Sequence, residues 1–167
     1  LDAGETLPFE TLLKSMIVGS ANDATVAIGE YLYGSHQLFV DRMNERAQEL
    51  GMADTHFVNS TGLPAEGHYT TARDVARMTV EMLKHPLYFE YSTIWLDSVI
   101  HESGRETQLT NTNRLIRFYP GATGLKTGST DSALYCLSGT AERDGMELIA
   151  VILKSSTRDI RNEAAKS

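Results

Sequence analysis

GATGLKTGST, Gly121–Thr130, reads as a short strand over Thr123–Gly128 that carries one charge, Lys126, followed by a threonine and a glycine. Downstream, Ala133–Ala141 and Met146–Lys154 are apolar runs joined by Glu142-Arg143-Asp144-Gly145, a hairpin signal with an Asp-Gly pair at the bend. Upstream, Ile94–Glu102 and Glu106–Asn111 read as two strands around Ser103-Gly104. The last third is thus strand-rich, with a polar tail from Thr157 that has helical character.

The first two thirds read as helices. Pro8 suits the first turn of a helix over Phe9–Val18. Asn22 or Asp23 caps a second, which stops before Gly34. Ser35 caps a third whose apolar positions, Leu38, Phe39, Met43, Ala47 and Leu50, lie mostly three or four apart. A loop runs from Ala53 to Tyr69 with a Gly62-Leu63-Pro64 turn. Thr71 with Asp74 resembles a capping box, and Val75, Ala76, Thr79, Met82 and Leu83 form one face of the helix that follows. Pro86 is expected to close it. A run of helices and then strands predicts an α+β fold with an antiparallel sheet covered by helices.

Composition narrows the function. The chain has 167 residues, 41% of them hydrophobic and 22% charged, as expected of one globular domain over 1–167. A net charge of −7 and no cluster of Lys and Arg argue against nucleic acid. No apolar run is long enough for a membrane span. The single Cys136 excludes an internal disulfide and reads as a buried structural thiol. His36, His56, His68, His85 and His101 fit no short ligand spacing, so no metal and no other cofactor is expected, although His56 and His68 flank one loop.

Two short stretches carry chemistry. Ser20-Ala21-Asn22 lies at a helix junction, and Lys126-Thr127-Gly128 lies on the strand. Singly, the first reads as helix caps and the second as a strand end with an exposed lysine. Together, in this order, they match the S-x-N and K-T-G motifs of the serine acyltransferases that react with penicillin. The chemistry needs such residues. A hydroxyl and an amide relay a proton and bond a substrate backbone, a lysine polarises the relay and attracts a carboxylate, and a glycine lets the substrate lie against the strand edge. The N–H of Ser129 suits half of an oxyanion hole.

Beyond the tripeptides, SANDATVAIGEYLYGS, FVDRMNERAQELGMADTHFVNSTGL, HYTTARDVARM, GLKTGST and GMELIAVIL resemble the low-molecular-weight D-alanyl-D-alanine carboxypeptidases, penicillin-binding proteins of the bacterial cell envelope. The resemblance covers nearly the whole chain. It implies part of the β-lactamase/penicillin-binding transpeptidase-like fold and an extracytoplasmic place. It implies a peptidoglycan stem peptide ending in D-Ala-D-Ala as substrate, with β-lactams as inhibitors of the full-length protein. By the same resemblance Ser20 protonates the leaving amine, Asn22 bonds the substrate amide, Lys126 supports both, and Thr127, Gly128 and Ser129 hold the substrate.

The family's first motif is absent. Three residues before Lys14, Lys84, Lys126, Lys154 and Lys166 stand Thr11, Glu81, Thr123, Val151 and Glu163, so no S-x-x-K exists. The chain is therefore expected to be a fragment without the nucleophile and its first strands, inactive alone, with apolar surface exposed and a tendency to self-associate. Two rivals remain. A class A β-lactamase needs an E-x-x-L-N carboxylate, which Glu10 and Glu106 do not provide. A non-catalytic module that binds peptidoglycan or β-lactams fits the missing serine. Trp95 reads as a strand residue that packs or lines a groove, and Arg114, just ahead of the K-T-G strand, as a surface arginine or one that helps bind the substrate carboxylate.

Overall fold

The computed structural model describes all residues, Leu1–Ser167. Three helices come first: α1 (Phe9–Ile17), α2 (Asn22–Tyr33) and α3 (His36–Glu49). They are followed by α4 (Ala72–Met82) and a short α5 (Pro86–Ser92). A hairpin of β1 (Leu96–Ile100) and β2 (Glu106–Thr110) and a single turn α6 (Leu115–Phe118) lead into β3 (Ala122–Thr130), β4 (Leu134–Arg143), β5 (Met146–Ser155) and α7 (Arg158–Lys166). The main sheet has the order β3-β4-β5, all antiparallel, so β3 is an edge strand. Helices α4 and α7 pack against β4 and β5, and α5 and α6 against β3. The α+β expectation agrees with this architecture.

Local chemistry explains most boundaries. Ser35, Thr71 and Thr157 each accept a hydrogen bond from the N–H three residues on, which closes the first turns of α3, α4 and α7. Gly34, at φ 84°, ends α2 in the left-handed conformation that costs glycine little. Asp144 and Gly145 both have positive φ, as the two-residue turn between β4 and β5 requires.

Several expectations are corrected. Pro86 does not simply close α4: it is the first residue of α5, where its missing N–H has no helical partner to lose. Asn22 does not cap α2. It is the first helical residue, and Ala21 precedes it without a side-chain cap bond. On α3 Ala47 is buried and Phe39, Met43 and Leu50 are half-buried, as expected, but Leu38 is exposed and Val40 is buried instead. Trp95 precedes β1 rather than lying in it. The Thr71–Asp74 box is half formed. Thr71 caps, but the buried Asp74 carboxylate instead accepts from Asp54 N–H and Thr55 Oγ1, both at 2.9 Å, and from Arg77 at 2.8 Å. It thereby ties the loop after α3 to α4.

The core is small and partly polar. Val18, Val99 and Leu109 cluster with Leu7 and Ile94, joining the α1–α2 junction to the β1–β2 hairpin. On the main sheet, Ser138 and Thr140 share one face of β4. Ser138 bonds Thr79 of α4 at 2.6 Å in a site closed to water. The accessible surface is 9706 Å². Scaling for a compact monomer of this mass gives roughly 8,200 Å². Large apolar side chains account for part of the excess, among them Tyr31, Ile100 and Phe118.

Thr79 also donates to Val75 O at 2.8 Å, so Ser138 is the donor in the pair: Thr79→Val strands the Ser138 hydroxyl, whereas Ser138→Ala leaves Thr79 its Val75 bond. Thr79→Val is expected to cost about 1–3 kcal/mol, Ser138→Ala about 1 kcal/mol, and the double variant clearly less than the sum. Urea melts followed by circular dichroism of the four proteins measure the cycle. Strict additivity would show that the bond is not what couples α4 to β4.

Candidate active site

Helix α1 ends against the core, and the chain reverses through Val18, Gly19 and Ser20 before α2 begins. A side chain at Gly19 would put a Cβ 2.9 Å from Leu109 Cδ2 and 3.0 Å from the Ser15 carbonyl, so the close approach requires glycine. Ser20 follows in the left-handed region at φ 56°, a conformation that a non-glycine residue keeps only when its surroundings hold it. This turn aims the Ser20 hydroxyl at the sheet.

There it meets Lys126. Lys126 Nζ donates to Ser20 Oγ at 2.7 Å, across 106 residues, and to its neighbour's carbonyl, Thr127 O, at 2.9 Å. No carboxylate pairs with this ammonium. Burial without a counter-charge brings its pKa down to about 8. A lysine poised there can both hold and release a proton near neutral pH.

A groove of about 1010 Å³ opens over this pair. All six residues singled out from sequence, Ser20, Asn22, Lys126, Thr127, Gly128 and Ser129, line it. The Asn22 side chain makes no bond within the protein and is free toward the groove. At Gly128 an added Cβ would meet nothing within 4 Å, so the strand edge there is open to a ligand. Arg114 lines the groove, exposed and without a carboxylate partner. Trp95 lines it too, with Arg117 over its ring at 5.3 Å. His56 and His68 are bonded to the backbone of their own loop, at Gly67 O and Val58 N–H. His101 instead meets Glu5 at 2.9 Å, next to an Asp2–Arg105 pair.

Sequence reasoning missed the frame that holds β3. The carbonyls of Thr123, Gly124 and Leu125 accept bonds from Ser92 (2.6 Å), Asn113 (2.8 Å) and Tyr88 (3.2 Å). Side chains thus satisfy the first half of this edge strand and leave the second half, from Thr127 onward, uncovered. Burial pushes the Tyr88 hydroxyl up to about 12, so it stays a neutral donor. Asn111 in turn holds Asn113 N–H at 2.9 Å and donates to the carbonyls of Ser92 and Ile94. Between the two asparagines, Thr112 accepts the Thr127 hydroxyl at 2.7 Å. The Asn111-Thr112-Asn113 tripeptide, polar and just ahead of the K-T-G strand, was the available signal.

The fold and this groove are those of the penicillin-binding-protein scaffold. The family model for D-alanyl-D-alanine carboxypeptidase matches residues 1–157, and the chain belongs to that family. It is 43% identical over 162 residues to the D-alanyl-D-alanine carboxypeptidase DacF of Bacillus subtilis, covering 97% of this chain and 42% of that protein. It is 35% identical over 172 residues to DacC of Escherichia coli, covering 99% of this chain and 41% of that one. The chain thus spans about two-fifths of the length of these curated relatives. Among solved structures it resembles the carboxypeptidase DacD of Francisella tularensis, with a TM-score of 0.88 and 31% identity over 99% of this chain and 52% of that one. It also resembles penicillin-binding protein D2 of Listeria monocytogenes in its cefotaxime-bound form, with a TM-score of 0.84 and 33% identity over 96% of this chain and 64% of that one.

The buried ammonium sets a pH dependence. Below about pH 8 Lys126 is charged in both folded and unfolded chains, so the cost of burying it is fully present. Between about 8 and its ordinary 10.5 the folded chain gives up the proton first, and stability rises with pH. Lys126→Met is expected to gain roughly 1–2 kcal/mol at pH 7, net of two lost hydrogen bonds, and to lose this rise. Urea melts of both proteins at pH 7 and pH 9 test it. A variant less stable than the parent at pH 7 would contradict the assignment.

Proposed function

We propose that this chain forms the S-x-N and K-T-G part of a serine-type carboxypeptidase that removes the terminal D-Ala from peptidoglycan stem peptides ending in D-Ala-D-Ala. The observation that carries the reading is the 2.7 Å bond from Lys126 to Ser20 in a groove that also holds Asn22, Thr127, Gly128 and Ser129. In the proposed reaction a serine hydroxyl adds to the peptide carbonyl, its proton entering the Lys126–Ser20 relay, and gives a tetrahedral intermediate. The C–N bond then breaks as the departing D-Ala amine takes a proton from Ser20, which leaves an acyl-enzyme, and water hydrolyses its ester. Lys126 restores the Ser20 proton, for which a pKa of about 8 suits it. Asn22 bonds the substrate amide, Lys126 and Thr127 hold the terminal carboxylate, the Ser129 N–H holds the oxyanion, and bare Gly128 lets the peptide lie along the open edge of β3.

These 167 residues contain no S-x-x-K, so the nucleophile in this proposal comes from outside them, and the chain alone binds without turnover. The reading makes the full-length protein a β-lactam target at the cell envelope, outside the cytoplasm. The relatives' names and the ampicillin- and cefotaxime-bound forms of the Listeria protein support it. No helix here is long and apolar enough to cross a membrane. The exposed apolar side chains support self-association of the isolated chain, which light scattering measures directly: a strict monomer at high concentration would refute it.

Intact-mass spectrometry after incubation with benzylpenicillin tests the main proposal. A β-lactam ring opens on the serine without losing atoms, so the full-length gene product is expected to gain the whole mass of one penicillin. The 167-residue chain is expected to gain nothing. A covalent adduct on the short chain would place a nucleophile within it and overturn the assignment.

A further inference from the structure

The groove has a one-sided charge that its proposed reaction does not require. Lys126, Arg114, Arg117, Arg158 and Arg161 all line it, and no aspartate or glutamate does, in a chain with 22 acidic residues and a net charge of −7. Most cations elsewhere are paired with carboxylates, such as Lys14 with Asp97, Arg46 with Glu81 and Arg105 with Asp2. None of the five in the groove forms an ion pair.

One terminal carboxylate is served by Lys126 and Thr127. Arg161 is buried and spends its donors on Cys136 O and Asn162 Oδ1, and Arg158 lies over the Tyr135 ring at the start of α7. Arg114 and Arg117, both on the single turn α6 and its cap, are then left over. Both are exposed, and Arg114 stands two residues from Thr112, which touches Thr127. Arg117 lies over the rings of Trp95 (5.3 Å) and Phe118 (5.5 Å), which steady it without using its N–H donors. Each guanidinium is a planar fork of donors that matches a carboxylate, and neither spends those donors within the protein.

We propose that Arg114 and Arg117 form a second anion subsite, so that the groove selects D-Ala-D-Ala peptides that carry a further carboxylate over neutral ones. This rests on the carboxypeptidase reading above and narrows its substrate class to acidic peptides. The concave, uniformly positive wall also draws such peptides in from solution, which makes the preference sensitive to salt.

The test uses the full-length gene product and two synthetic peptides ending in D-Ala-D-Ala. In one the residues before the dipeptide carry free carboxylates, and in the other these are amidated. Released D-Ala is measured. The acidic peptide is expected to show about tenfold higher kcat/KM at low salt, the factor that one charge-assisted contact supplies. The ratio should shrink at high salt and fall to within about twofold in the Arg114→Ala/Arg117→Ala variant. It should persist in Arg143→Ala, a cation outside the groove that stacks on Tyr119. Thermal melts verify that the variants are folded. A wild-type ratio near one, or a ratio that survives the double substitution, overturns the second subsite while released D-Ala leaves the carboxypeptidase reading standing. No D-Ala from either peptide overturns both.

Discussion

The Lys126 ammonium is the constraint on which the site depends. It is buried without a carboxylate, and its hydroxyl partner comes from the far side of the fold, on the turn between α1 and α2. A charge in such a place is stable only if its donors are satisfied, so the helical part and the sheet must meet within one hydrogen-bond length. That demand accounts for details some distance away. Gly19 must be bare to let the turn approach Leu109, and Ser20 must adopt a left-handed backbone. Val18 must anchor both in the small core shared with the β1–β2 hairpin.

The same demand fixes how β3 is supported. An edge strand that presents a reactive face cannot be covered by another strand there, yet its buried carbonyls need partners. Side chains from α5 and from the segment after β2 supply them: Ser92, Asn113 and Tyr88 over the first half, with only the Lys126 ammonium at Thr127 O over the second. The polar pair Thr79–Ser138 then joins α4 to the next strand, β4, where Ser138 stands opposite Lys126 in register. The core beneath the site is therefore hydrogen-bonded more than it is oily. Such a core is rigid when complete and costly to interrupt. Charge is sorted in the same way. Acidic side chains stay out of the groove and pair with most of the cations elsewhere, and the groove keeps its arginines free of carboxylates.

Much of this was legible in the residue order. Capping hydroxyls at Ser35, Thr71 and Thr157 marked helix starts because the cap bond is local, spanning three residues. The Asp144-Gly145 bend and the apolar runs on either side of it announced the β4–β5 hairpin for the same reason. Where local signals were ambiguous, the reading slipped. A proline serves equally after one helix and at the start of the next, so Pro86 could not be assigned from its neighbours. On α3 the edge of the face differed, with Val40 inside and Leu38 out, because what it packs against is distant in sequence.

The sequence by itself determined the alternation of elements, the family pattern and the six residue types now found around one groove, since these rest on short-range bonds and on motif chemistry. Only the tertiary structure decided that Ser20 is a left-handed turn residue and not a helix cap. It alone showed that Asp74 ties a loop to its own helix, that Thr112 and Tyr88 belong to the site, and that the arginines near the lysine stand without carboxylate partners. Each of these depends on which groups meet across long stretches of chain. A buried donor takes the acceptor that packing brings within reach, whatever stands next to it in the sequence.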